Sequence, residues 1–371
     1  MSKLLGIVNM SGDSIDIEGL SNYRSTSAIS LLGRYRLIDF VLSNMSNSDI
    51  DQIHVYVKDK PRSIIEHIGS GRMYNLNSKR SKVRILMGEN NRMSAQFNHD
   101  INAFAEHMSY IDEVSANYVV IAPAHFICRI NFEDVLQQHL ETKADITVVY
   151  KNTDNAKEEF IGCDCLTLNG KKEVIAMEVN RGNTKQRSIS LETYVMSKEM
   201  FKKLVKAAQD TSSLFCLKDI IAEQVGDLLV RGYSQRGYVA CINNLSAYYK
   251  ANMDLKKWDN ISSMFSSEWP IYTRTNDSPP AKYGEKAIVS DAFIANGCLI
   301  EGTVINSVIG RGTIVKENAV VKDCVILAEG YIESGTHVEN AVIDKKVKIK
   351  KKACIKGAEH VPLYIKKYDV V

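Results

Sequence analysis

Apolar runs and polar gaps follow one rhythm over the first two thirds of the chain and another beyond it. From the start, LLGIVNM (4–10), IDFVLSNMSNSDI (38–50), QIHVYV (52–57), RSIIEHIGS (62–70), VRILMG (83–88), INAFAEHMSYI (101–111) and YVVIA (118–122) alternate strand-like and helical patterns. NFEDVLQQHLETK (131–143) then reads as a helix and DITVVYK (145–151) as a strand. Alternation at these lengths predicts a parallel sheet covered by helices. From 160 to 196 shorter strands take over, CLTL, EVIAMEV and SISLETYVM, and helical patterns return at 197–208 and near 245–256. The first domain is therefore a mixed α/β unit over 1–256.

The segment 257–285 holds Trp258, Trp269, Pro270, Pro279 and Pro280 and has no clear period, so it reads as an extended connector. Residues 286–371 form the last domain, and they repeat. NSVIGRGTIVKENAVVK (306–322), DCVILAEGYIESGTHVE (323–339) and NAVIDKKVKIKKKACIK (340–356) are 17 residues each. An aliphatic residue recurs every six positions: Ile309, Val315, Val321, then Ile326, Ile332, Val338, then Ile343, Ile349, Ile355. Three faces of six, shortened by one at a corner, describe one coil of a triangular β-helix. Ile288, Ile294 and Ile300 supply an earlier coil. Such coils bury their aliphatic column only by stacking on one another.

Composition narrows the function classes. With 45% hydrophobic and 25% charged residues the 371-residue chain can bury a large core. Its 47 basic and 44 acidic residues leave a net charge of +3, too little to drive it onto nucleic acid or a membrane surface. No apolar run approaches the roughly 20 residues that span a bilayer. The N-terminal MSKLLGIVNM is too short for a signal peptide, so the sequence predicts a cytoplasmic protein. The eight cysteines include one close pair, Cys163 and Cys165, and show neither a zinc-ligand spacing nor a disulfide framework.

YRLIDFVLSNMSNS (35–48), YYKANMDL (248–255) and EWPIYTRTNDSPPAKY (268–283) resemble the signatures of ADP-glucose pyrophosphorylases, which join ATP to glucose 1-phosphate. The resemblance covers nearly the whole chain. It implies an α/β fold in which a Rossmann-like (GT-A-like) nucleotidyltransferase domain precedes a left-handed parallel β-helix of hexapeptide repeats. The match is nearest to the D-type subunit of the two-subunit bacterial enzyme, because of what is missing.

The family's chemistry needs a glycine-rich phosphate cradle, cations, and carboxylates that hold Mg²⁺. Its Gly-Gly-x-Gly-x-Arg cradle falls here on Ser11, Gly12, Asp13, Ser14, Ile15 and Asp16, and its Arg-x-Lys-Pro motif on Arg24, Ser25, Thr26 and Ser27. Asp16 thus stands in place of a phosphate-binding Arg, and Thr26 in place of Lys. The family ends one strand with Gly-Asp-His, whose Asp helps hold the metal; this chain has Pro123, Ala124 and His125. The second metal-holding Asp falls on Cys241. The sugar-phosphate motif Glu-Lys-Pro falls on Glu178, Val179 and Asn180, and the nucleotide-contacting Gly-Thr-Ala-Asp-Ala on His99 to Ala103.

The resemblance therefore implies a vestigial nucleotide pocket at Ser11, Gly12, Asp13 and Ser14, a vestigial sugar-phosphate pocket at Glu178, and no catalytic residue or metal ligand of this chain's own. No cofactor is expected for it; Mg²⁺ belongs to the active partner subunit, with which a heterotetramer is expected. Arg34 and Arg36 lie near the family's allosteric phosphate site and are the candidates for binding a phosphorylated metabolite. Three classes follow: a catalytically silent regulatory subunit, a weak adenylyltransferase in its own right, and a hexapeptide acyltransferase. The last would depend on His337 and lacks a protruding loop to support it. His125 reads as a packed or capping residue, and the lysines 345, 346, 348 and 350–352 as a solvated edge.

Overall fold

The computed structural model describes residues 4–10, 15–76, 82–88, 99–211, 216–358 and 361–371. The expected cradle at Ser11–Ser14 lies outside the described residues. The chain folds into two compact units, and neither is contiguous in sequence: one takes Met1–Ser14, Ile38–Ala240 and Ser267–Tyr272, the other Ile15–Leu37, Cys241–Ser266 and Thr273–Val371.

The first unit is built on a nine-stranded mixed sheet in the order Val174–Val179, Asp164–Leu168, Arg187–Ser197, Tyr118–Pro123, Leu4–Met10, Gln52–Val57, Lys82–Met87; Ile146–Thr153 pairs with Arg187–Ser197 and with Val230–Ser234. Leu4–Met10 runs parallel to both neighbours, Leu5 opposite Gln52 on one side and Val119 on the other. Near-continuous apolar runs such as LLGIV and YVVIA suit strands buried on both faces. Arg187–Ser197 is antiparallel to Tyr118–Pro123, and its pairing with Ile146–Thr153 shifts register between Ser190 and Thr193. Leu5, Ile7, Val119, Ile121, Phe104 and Phe201 belong to the core.

The helix Leu37–Asn47 shows why the LIDFVLSNMSN run mixes apolar with polar residues. Asn44 donates from Nδ2 to the Cys128 carbonyl at 2.8 Å and accepts at Oδ1 from Trp269 Nε1 at 2.9 Å. Ser43 Oγ accepts from the Tyr272 amide at 2.8 Å, and Asn47 Nδ2 donates to the Pro270 carbonyl at 2.9 Å. These bonds draw 267–272 of the connector into the first unit. Buried Asp39 accepts from Tyr74 Oη at 2.7 Å and lies 2.6 Å from His67 Nε2. Each buried polar group of this helix face is thus hydrogen-bonded, as burial demands.

The second unit is the parallel β-helix. Ile314 pairs with Tyr331 and Tyr331 with Lys348, while Val320 pairs with His337 and His337 with Cys354, an offset of one 17-residue repeat each time. Of the expected column, Ile309, Val315, Val321, Ile326, Ile332, Val338, Ile343, Ile349 and Ile355 are all buried. Ile288 is not: it is 59% exposed. The earliest coil is shorter, Ile288 pairing with Thr303, so Val289 and not Ile288 aligns with Val304 and Val321. Left-handed residues mark the corners at the same spacing, as in Asn306, Asp323 and Asn340, and in Gly312, Glu329 and Lys346. Asn tolerates this conformation better than most side chains.

Two further segments dock on the coils. The connector is not wholly extended: Trp258–Met264 forms a short helix with Asp259 in its first turn, where a carboxylate favours the helix dipole. From the preceding helix Leu245–Asp254, Tyr249 Oη donates to the Asp323 carbonyl at 3.0 Å, and Lys256 Nζ reaches the Asp291 carbonyl at 3.1 Å. This helix starts on Asn244, whose Oδ1 accepts from the Ala247 amide at 2.8 Å. We expect Asn244→Ala to cost about 0.5–2 kcal/mol in urea unfolding, the usual range for a lost N-cap. An unchanged midpoint would show that the cap is not used.

Segment 15–37 is held more firmly. Arg24 Nη2 donates to both carboxylate oxygens of Asp344, at 2.7 and 2.8 Å, and Tyr364 Oη donates to the same carboxylate at 2.9 Å. Ser30–Leu31 and Tyr35–Arg36 pair as a hairpin. Its turn uses Gly33 at φ 67, where a Cβ would lie 2.9 Å from the Ile309 carbonyl oxygen. Only glycine fits such a turn without displacement.

Candidate functional site

In the first unit Ala124 follows the strand Tyr118–Pro123 and is 2% exposed. It offers a methyl group where the resembled family offers a carboxylate. The next residue, His125, has an acidic neighbour that its sequence surroundings do not reveal: His125 Nε2 lies 3.9 Å from Glu192 Oε2. Glu192 sits at φ 48 in the register shift of Arg187–Ser197. The signal for it in sequence is nil, since a bulge far along the chain brings it there.

In the second unit Cys241 ends the strand Val239–Cys241 and is 7% exposed. Asn244, in the same run, is committed to capping. Mg²⁺ takes oxygen ligands in a nearly octahedral shell. A methyl group at 124 and a thiol at 241 do not fit it.

Of the phosphate-contact positions, Asp16 is exposed and Thr26 is partly buried. Thr26 Oγ1 donates to the Ile15 carbonyl at 2.9 Å, so its one proton is engaged in a local turn. Glu178 lies exposed on Val174–Val179 and forms an ion pair with Arg187. Asn180, two residues on, is 2% exposed and donates to the Ala156 and Phe160 carbonyls at 2.9 and 3.0 Å. The Glu-x-Asn stretch therefore fastens a loop.

The lysines near the end of the β-helix divide in two. Lys346 and Lys348 lie 3.5 and 3.2 Å from Glu329 and Glu333 of the preceding coil, the solvated edge expected. Lys345 differs. Burial, with Arg36, Arg24 and Lys367 nearby, brings its ammonium down to about 8, and Asp344 opposes the shift. Arg36 is partly buried, whereas Arg34 is exposed, its guanidinium 5.6 Å from the Tyr35 ring centroid. The structure thus places Arg36 in a basic group that the sequence distributes over four separate positions.

Within the first unit, His99, Asp100 and Cys216 come together. Burial pushes the Asp100 carboxyl up, and hydrogen bonds from Asn9 and Leu217 pull the other way. Among the described residues, no helix is long and apolar enough to cross a membrane.

A family model described as nucleotidyl transferase matches residues 11–258, and one described as GlmU-like C-terminal hexapeptide matches 279–361. Sheet, repeat and matches together define a member of the nucleotidyltransferase family with an appended left-handed β-helix. The chain is 28% identical over 366 residues to the glycogen biosynthesis protein GlgD of Bacillus subtilis (strain 168), covering 99% of this chain and 96% of that one. It is 30% identical over 325 residues to GlgD of Geobacillus stearothermophilus, covering 86% and 83%. To a glucose-1-phosphate adenylyltransferase of Acetivibrio thermocellus it is 29% identical over 339 residues, covering 90% and 79%. The chain belongs to the ADP-glucose pyrophosphorylase family, as a GlgD-like member.

Proposed function

We propose that this chain is a regulatory, catalytically silent or very weak subunit of a two-subunit glucose-1-phosphate adenylyltransferase in glycogen biosynthesis, acting on an active partner subunit in the cytoplasm. The observation that carries the reading is the pair of buried residues Ala124 and Cys241, which leaves no carboxylate at either family metal position. Membership beside relatives named as glycogen biosynthesis proteins supports the pathway. The partner subunit supplies Mg²⁺ and the chemistry; this chain supplies contacts, in a heterotetramer. A second reading, a weakly active adenylyltransferase in its own right, is favoured by the similarity to an enzyme of that name.

The effector end of the regulation lies at the basic group of the second unit. Of the two candidates, Arg34 and Arg36, the surroundings of Arg36, with Arg24, Lys345 and Lys367, favour it over exposed Arg34. A guanidinium suits bidentate contact with phosphate. The experiment is to mix the purified subunits and follow ADP-glucose synthesis with inorganic phosphate or sugar phosphates, using wild-type chain, Arg34→Ala and Arg36→Ala. We expect a change in the partner's apparent affinities of about 5- to 150-fold, the usual scale of coupling between sites, and loss of the effector response in Arg36→Ala. Because Lys345 is charged below about 8 and neutral above it, the effector is held more tightly at pH 7 than at pH 9. Unaltered partner kinetics with separate elution on size exclusion would defeat the regulatory reading. Metal-dependent pyrophosphate release by the purified chain alone would establish the second one.

A further inference from the structure

We propose that His99, Asp100 and Cys216 bind one divalent transition-metal ion of zinc type, at a place distinct from the family's Mg²⁺ positions and independent of the regulatory reading. The cysteine spacing shows no zinc motif, and the family resemblance implies no metal ligand of this chain's own. The fold brings the three residues together from two helix starts: Asp100 opens the helix Asp100–Glu106, with His99 just before it, and Cys216 precedes the helix Leu217–Glu223. One ligand atom from each lies within 4.8 Å of the others, and His99 Nδ1 is 3.9 Å from Asp100 Oδ1. Ligand atoms around a tetrahedral zinc ion stand about 3.3–3.8 Å apart, given metal–ligand bonds of about 2.0–2.3 Å. Small side-chain rotations close the difference.

The donor set selects the metal. Imidazole nitrogen, carboxylate oxygen and thiolate sulfur suit Zn²⁺ or Co²⁺ and not Mg²⁺. A thiolate and a carboxylate beside a neutral imidazole balance a dication. His99 and Asp100 are 5% and 2% exposed, and Cys216 is partly exposed, which gives the ion a way in and water a fourth position.

The surroundings orient the ligands as metal sites require. Asn9 Nδ2 donates to Asp100 Oδ2 at 2.8 Å, and the Ile101 and Leu217 amides donate to Oδ1 at 2.8 and 3.2 Å. Oδ1 accepts from both amides, and Oδ2 accepts from Asn9 with the Leu217 amide also 3.4 Å away, so Oδ2 is the oxygen with a lone pair for a metal. Asp219 Oδ2 accepts from the Cys216 amide at 2.8 Å and fixes the backbone beneath the thiol. A bound ion would join the two helix starts, one carrying His99 and Asp100 and the other Cys216.

The test is titration of the full chain with Zn²⁺ and Co²⁺ after removal of metal by chelator. We expect one equivalent of Zn²⁺ to survive dialysis and raise the thermal midpoint. With Co²⁺ we expect a near-ultraviolet thiolate charge-transfer band, lost in Cys216→Ser and kept in Cys354→Ser, which alters an exposed thiol elsewhere. His99→Gln should weaken binding, and Asn9→Ala should weaken it about 10- to 100-fold, the usual effect of removing a residue that orients a ligand. No stoichiometric zinc and no cobalt band in the wild-type chain would overturn the assignment. A band that persists in Cys216→Ser would overturn it equally.

Discussion

Purified alone, the chain is expected to make ADP-glucose at least about 10⁴-fold more slowly than the roughly 1–100 s⁻¹ usual for phosphoryl-transfer enzymes. Loss of one preorganised electrostatic contact costs about 10²–10³ in rate. On the alignment that the family resemblance implies, Asp16, Thr26, Ala124 and Cys241 stand at four such positions. The losses are not additive, because residues that act as a unit fail together. Restoring Ala124→Asp alone should therefore recover nothing, since a single carboxylate without phosphate cations or a second metal ligand builds no site. The combined change Asp16→Arg, Thr26→Lys, Ala124→Asp and Cys241→Asp should raise synthesis above background. Steady-state assay of pyrophosphate release decides it: strong activity from the unmodified chain, or from Ala124→Asp by itself, would sink the reading of these positions.

The second large effect concerns stability. Asp344→Ala should destabilise the unit that holds the β-helix by about 3–5 kcal/mol, the scale for removing one partner of a buried ion pair. Arg24 and Asp344 are 5% and 0% exposed, and the carboxylate also accepts from Tyr364 Oη and from the Lys345 amide at 2.6 Å. Without it the Arg24 guanidinium stays charged in a place with little water. The double change Arg24→Met with Asp344→Leu should recover much of the loss, because replacing both charges by apolar groups removes the desolvation penalty along with the attraction. Urea unfolding of the wild-type chain and the two variants checks this. A loss below about 1 kcal/mol for Asp344→Ala would mean that the pair is not what fastens segment 15–37.

Periodicity along the chain determined the β-helix almost residue by residue. A six-residue aliphatic spacing repeated over 17 residues has only one packing solution, so its nine core positions from Ile309 to Ile355 were legible before any coordinates. At the first coil the sequence rule failed: Ile288 and Val289 are 59% and 37% exposed, because their strand stands at the end of the stack with Thr303–Ile305 on one side only among the described residues. The sheet was legible as alternation, because strands buried on both faces must be apolar throughout. What the sequence could not determine depends on contacts between distant segments. The interleaving of 15–37 and 241–266 with the coils follows from Arg24 meeting Asp344 and Tyr249 meeting Asp323. Glu192 reaches His125 only through a bulge, and Cys216 reaches Asp100 only because two helix starts converge. Spacing rules describe neighbours along one element. Sites assembled across elements are decided by how the sheet and its helices pack.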